Sequence, residues 1–283
     1  MPEVRSPTLR RRELGARLRK LRQDQGLTVE QVAEHLLCSP SKVSRMETGQ
    51  RGATLRDVRD LCELYGITDE AERDRLMKLA REGKQQGVYQ SFGLPYGAFV
   101  ELEDEAVEMQ VYHSAVVPGL LQTADYARAV HEAAVPEIMT EVIDQRVEER
   151  LIRQQLLDRA DPPQIEFVMD EAVLHRPVGG SAVMLEQLGQ LLEVARRPNV
   201  KMQIVPFALG AHPALESDFI ILKFKGQTPG IVYVEGLVGH NYLERADDVQ
   251  RYLQVFERLC GIGLSPKDSA TLISKVRDTY AVG

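Results

Sequence analysis

Cysteine is scarce in this chain of 283 residues: Cys38, Cys62 and Cys260 are far apart and odd in number. That excludes a disulfide framework, and the lack of a CxxC pair removes the usual zinc-ligand spacing. Long apolar runs are lacking too. The longest apolar stretch free of Asp, Glu, Lys and Arg, Val111 to Ala124, is too short for a bilayer and contains Pro118-Gly119. The N-terminal MPEVRSPTLRRRELG carries charge but no apolar core, so no secretory signal is expected. There is no GxSxG, no HExxH and no glycine loop to cradle a phosphate. What is present, 43% hydrophobic and 27% charged residues, is the balance of a globular protein and excludes disorder over most of the length. The expectation is a reduced, cytoplasmic, soluble protein of two domains, with no membrane segment, metal site or cofactor.

The net charge is -7, but it is unevenly placed. Residues 1–60 hold 13 Lys and Arg against 8 Asp and Glu, and the remainder holds 22 against 34. A basic head on an acidic body points to a polyanion as the partner of the head.

The head reads as five helices. Leu14, Leu18 and Leu21 form the apolar stripe of a first helix, Thr8 to Gln25, whose other faces carry seven of the arginines and lysines. Gly26 is the expected left-handed stop. Thr28, with Gln31 three residues on, has the pattern of a capping box for a second helix bearing Val29, Val32, Ala33 and Leu36. After Leu37-Cys38, Ser39 is a good N-cap and Pro40 suits the first helical position. In the third helix only Val43 and Met46 can face a core, which leaves Ser41, Lys42, Ser44 and Arg45 outward. Thr54 caps a fourth helix, and a fifth runs from Asp69 to Glu82. Two short helices joined by a tight break, the second polar on its outer side, describe a helix-turn-helix. A helix about 10–12 Å across fits a major groove about 12 Å wide, where exposed side chains reach base edges.

GLTVEQVAEHLLCSPSKVSRMETGQRGAT closely resembles the Xre-type helix-turn-helix regulators, through Gly26-Leu27-Thr28, Val32-Ala33, Ser39, Ser41, Val43-Ser44-Arg45, Glu47, Gly49 and Arg51. The resemblance implies base contacts from Ser41, Lys42, Ser44 and Arg45 and phosphate contacts from Thr28, Ser39 and Arg51. It also implies a structural role for Glu47. Pro40 stands where some members have a base-reaching residue, so specificity would lean on Arg45, whose guanidinium can pair with guanine. The bland alternatives are that the serines are plain surface and that Lys42 and Arg45 touch only phosphate.

Residues 83–99, with GKQQGVYQSFGLPYG at their core, read as a linker between a domain at 1–82 and one at 100–283. The second domain opens with an acidic run, Glu101 to Glu108. VYHSAVVPGLLQTADYARAV then reads as two helical pieces broken at Pro118-Gly119, and Pro136 to about Ala160 as a long helix. Strands are expected at Ile165–Met169, Val200–Val205, Phe219–Phe224 and Ile231–Val234, and helices at about 182–196, 246–260 and 266–280. The expected fold is α+β with a small, mainly antiparallel sheet.

Tyr112, Val117-Pro-Gly-Leu-Leu-Gln-Thr123, Tyr126-Ala-Arg128, Phe167-Val-Met-Asp-Glu-Ala-Val-Leu-His-Arg-Pro-Val-Gly179 and Val200 to His212 resemble the C-terminal region of actinomycete antitoxin-like regulators, the WhiJ-like or Scr-type group. That resemblance implies transcriptional control together with a small protein encoded nearby. Asp170, Glu171, His175, His212, Glu235 and His240 are the candidates for chemistry. Neighbours on a strand point to opposite faces, however, so Asp170 and Glu171 are no catalytic pair by adjacency, and the histidines lack metal-ligand spacing. No catalytic residue is nominated, and Asp170, His175 and His212 are left without a role.

The leading expectation is thus a homodimer on double-stranded DNA, reading two half-sites about one helical turn apart, with a body that dimerises or binds a partner protein. The alternatives are a small-molecule effector in a pocket lined by Tyr112, Phe167, Tyr233 and Tyr242, an antitoxin that masks a toxin, and, weakest, an enzyme.

Overall fold

The computed structural model describes residues 6–84, 97–134, 139–226, 230–236 and 239–281. The chain folds as two units, the first reaching Glu105 and the second beginning at Ala106.

The first unit is helical: α1 (Pro7–Asp24), α2 (Val29–His35), α3 (Pro40–Glu47), α4 (Leu55–Leu64), α5 (Glu70–Gly83) and α6 (Gly97–Glu105). The signals at the helix ends act as expected. Ser6, Thr28, Ser39, Thr54 and Asp69 accept backbone N–H bonds as N-caps, and Thr28–Gln31 closes a full capping box. Gly26 and Gly49 take φ of +65° and +68°, which an L side chain tolerates poorly, and stop α1 and α3. One core holds α1 to α5 together, built on Leu14, Leu18, Val32, Val43, Met46, Val58, Leu61, Tyr65, Leu76 and Leu79. Helix α6 is an addition to the five helices expected in this unit. Ser6 bonds to it twice, its N–H to Glu105 Oε1 at 2.5 Å and its hydroxyl to Glu101 Oε2 at 3.1 Å. Most of the 83–99 stretch lies outside the described residues.

The second unit is α+β. Its strands are β1 (Glu108–His113), β2 (Gln164–Asp170), β3 (Val200–Val205), β4 (Phe219–Lys223), β5 (Ile231–Gly236) and β6 (Gly239–Leu243). Its helices are α7 (Ala124–Ala134), α8 (Thr140–Gln154), α9 (Ala172–His175), α10 (Ser181–Val194), α11 (Ala246–Ile262) and α12 (Pro266–Ala281). The strands form one sheet in the order β3-β2-β1-β4-β5-β6. β1, β2 and β3 are parallel, and β4, β5 and β6 continue antiparallel from β1. The sheet is therefore six-stranded and mixed, not small and mainly antiparallel. The difference arises at β1, where the sequence pattern suggests a helix. It is a central strand buried on both faces from Met109 to Tyr112, so it lacks the alternation that marks a half-exposed strand. β1 and β2 are joined through α7 and α8, the long crossover that parallel pairing requires.

One sheet face carries Tyr112, Val168, Val205, Phe219, Ile221 and Val232, packed with Phe256 and Leu259 of α11. On the outer edge of β3, Leu264 N–H donates to Ile204 O and Ser269 Oγ accepts from Ile204 N–H, so this edge is closed by the chain itself. Among the described residues no helix is long and apolar enough to cross a membrane.

Candidate DNA interface

The two helices of the motif meet at Leu37. Its φ of 50° places a non-glycine residue in the left-handed region, and its side chain is 93% exposed. Cys38 N–H reaches back to Ala33 O at 2.9 Å and closes the turn. Thr28 and Ser39, the nominated phosphate contacts, are both exposed N-caps, with hydroxyls accepting from Gln31 and Lys42 backbone N–H at 3.2 Å in each case.

Helix α3 buries Val43, Met46 and Glu47 and exposes Ser41, Ser44 and Arg45. The 3.6-residue period brings these three onto one outward face, where Arg45 Nε donates to Ser41 O at 3.3 Å. Arg51 is exposed beyond the helix, anchored by its N–H to Arg45 O at 3.0 Å. Lys42 takes a different position. Its ammonium lies 2.8 Å from Asp57 Oδ1 at the start of α4, and both side chains are largely covered. Burial opposes ionisation of Asp57, but the bonds from Lys42 and Thr54 outweigh it and hold the carboxyl below its usual pKa. Lys42 thus ties α3 to α4, a role the sequence did not reveal because its partner is fifteen residues away.

Glu47 is held by Arg22, whose Nε and Nη2 reach the two carboxylate oxygens at 2.6 and 3.0 Å while Nη1 donates to Leu27 O at 2.8 Å. This fork fixes the end of α1, the entry to α2 and the end of α3 relative to one another. The bond to Glu47, foremost, raises the Arg22 pKa. Much of the basic surface of α1 is likewise matched within the unit. Arg10 pairs with Glu13 and Glu82, Arg17 with Glu72, and Arg11 donates to Gly83 O and Thr8 Oγ1. Among the described residues, Arg45 and Arg51 are exposed and have no carboxylate partner.

In the second unit, residues without a role in the sequence come together at the carboxyl ends of β1 and β2. Ala214 N–H donates to His212 Nδ1 at 3.3 Å, which places the ring proton on Nε2. Nε2 lies 3.4 Å from Asp170 Oδ2 and 3.4 Å from the Tyr112 hydroxyl. Burial, then Asp170 and Asp218, pushes the Tyr112 pKa up. Asp218 accepts from Ser114 N–H and Oγ at 2.9 and 2.7 Å and lies 3.5 Å from His113 Nδ1. Burial lowers the His113 pKa against the opposing pull of Asp218, and Arg150 adds to the lowering. Glu171 turns away from Asp170, accepting from Phe207 N–H at 2.8 Å and meeting His175 at 3.2 Å.

Residues 13–76 match a helix-turn-helix domain, the architecture of DNA-binding regulators, and residues 96–275 match DUF5753, a domain of unknown function. The chain belongs to the DUF5753 family. No curated protein and no solved structure matches it. Tyr112, Phe167, Tyr233 and Tyr242 do not line one pocket. Strand register puts Tyr112 on one sheet face and Phe167, Tyr233 and Tyr242 on the other. Tyr233 and Tyr242 instead pack with His240 at the end of the sheet, with ring centroids 5.2–5.7 Å apart.

Proposed function

We propose that the chain is a sequence-specific transcriptional regulator of the Xre type, acting as a homodimer on double-stranded DNA. The outward face of α3 supports this reading: Ser41, Ser44 and Arg45 stand exposed together beside the exposed caps Thr28 and Ser39. Arg45 reads a base, and Thr28, Ser39 and Arg51 position the unit on phosphates. Lys42, turned to Asp57, adds charge near the backbone when that pair opens and otherwise sets the pitch of α3. The DUF5753 domain serves as a binding body, not a catalytic one. It controls DNA affinity through a second copy or a small protein encoded nearby, as in the WhiJ-like group. An antitoxin that masks this partner would share the architecture, and a toxic activity in the partner would favour it. The almost complete burial of His212, 1% exposed at its side chain, supports a structural use of the Asp170–His212 pair.

Selection of binding sites by the full chain from a random duplex library should enrich a two-fold symmetric site. Arg45→Ala should then lose about 1–3 kcal/mol on that site and relax its preference at one base pair. Arg51→Ala should weaken all sequences alike and flatten the salt slope by about one unit. Failure to enrich any sequence sinks the proposal, and a uniform loss from Arg45→Ala reassigns that side chain to phosphate.

A further inference from the structure

A cavity of about 330 Å³ opens beside α11, within the second unit. One wall is α11 itself, where Asp248, Tyr252 and Val255 recur at helical spacing with Arg251 beside them. The other wall is the segment from Pro213 to Phe219. Phe219 forms the floor. It is buried, meets Tyr252 edge to face at 4.9 Å between centroids, and backs onto Tyr112 at 5.8 Å. Pro213, Ala214 and Val255 complete an apolar slot of the size that small-molecule sites have.

The wall segment is irregular chain, yet it is pinned at both ends. His212, bonded to Ala214 N–H and set against Asp170 and Tyr112, holds one end. Asp218, bonded to Ser114, holds the other. The buried His212 side chain and the half-buried Asp218 thus hold that wall in one arrangement. The mouth carries both signs of charge. Asp248 has only a distant pair with Arg245, at 3.9 Å, and Arg251 has no carboxylate partner among the described residues.

We infer that this cavity binds an apolar or aromatic α-amino acid. The side chain would lie on Phe219 and Tyr252 against Val255, the carboxylate would meet Arg251, and the ammonium would meet Asp248. The binding itself is independent of DNA, but its use as an effector site rests on the regulatory reading above. His212 and Asp218 act as positioning residues and touch no ligand.

The test is calorimetric titration of the full chain, without DNA, with L-phenylalanine, L-tyrosine and L-leucine. 3-Phenylpropionate, which lacks the ammonium, and phenethylamine, which lacks the carboxylate, serve as controls. Saturable binding is expected for at least one amino acid, at least about tenfold tighter than for either control, a factor worth about 1.4 kcal/mol. Val255→Trp, which fills the slot, should abolish it. Arg251→Ala, at an exposed helical position, should weaken it at least about tenfold and remove the preference over phenethylamine. Absence of saturable binding by all three amino acids overturns the inference, and so does binding that Arg251→Ala leaves unchanged. Loss of DNA binding alone would overturn the regulatory reading and leave this site standing.

Discussion

Two ion pairs of the head have separate tasks. Arg22 and Glu47 are well covered, at 11% and 7% side-chain exposure, and join three elements. Removing the guanidinium leaves a carboxylate out of water with no counter-charge. Arg22→Ala should therefore destabilise the helical unit by about 3 kcal/mol, read as a lower urea midpoint. Arg22→Lys should recover less than half of that, because an ammonium cannot form the two-pronged bond. An unchanged midpoint in the alanine variant would show that the fork adds nothing to stability. Lys42 and Asp57 illustrate the opposite consequence of pairing. Lys42, expected as a base contact, is paired with Asp57 at the start of α4, and under the proposed function Arg45 and the serines would be the readier readers of bases.

Among the elements, α1 and α3 approach closely at Gly15. A Cβ there would meet backbone oxygens, those of Met46 and, at 2.6 Å, Glu47, and neither belongs to a flexible side chain that could move aside. Alanine is the better helix former by about 1 kcal/mol in isolation. Gly15→Ala should nonetheless destabilise the unit by about 1–3 kcal/mol in thermal melts, because α3 must be pushed off α1. A stabilised variant would show that the two helices separate freely. The same displacement would carry Ser41, Ser44 and Arg45 with it, so specific DNA affinity should fall as well. β1 is the element whose reading failed most instructively. Met109 to Tyr112 is apolar or covered at every position, a pattern that short strands and helices share. Only pairing with β2 and β4 makes it a strand.

For the molecule as a whole, the glycine-rich stretch at 83–99 does not coincide with the boundary between the two units, which falls after Glu105. α6 lies within the span matched to DUF5753, yet bonds to Ser6 at the start of α1. A fragment ending at Glu105 keeps those bonds and one ending at Lys84 loses them. The shorter fragment should melt about 4–8 °C lower, the shift that about 1 kcal/mol produces in a domain of this size. Coincident melts would show that α6 adds nothing to the stability of the head.

The helix-turn-helix was legible in the sequence because its determinants are local. A cap, a left-handed glycine and a helical stripe each act within a few residues, and Thr28, Ser39, Gly26 and Gly49 behave as their chemistry dictates. The outward face of α3 follows from the same periodicity. Tertiary structure decided what depends on distant partners: the pairing of Lys42 with Asp57, the place of β1 at the centre of a mixed sheet, and the cluster of Tyr112, Asp170 and His212. No local signal announces these, since a strand buried on both faces has no period of its own and a buried polar group is placed by whichever partner the fold brings within reach.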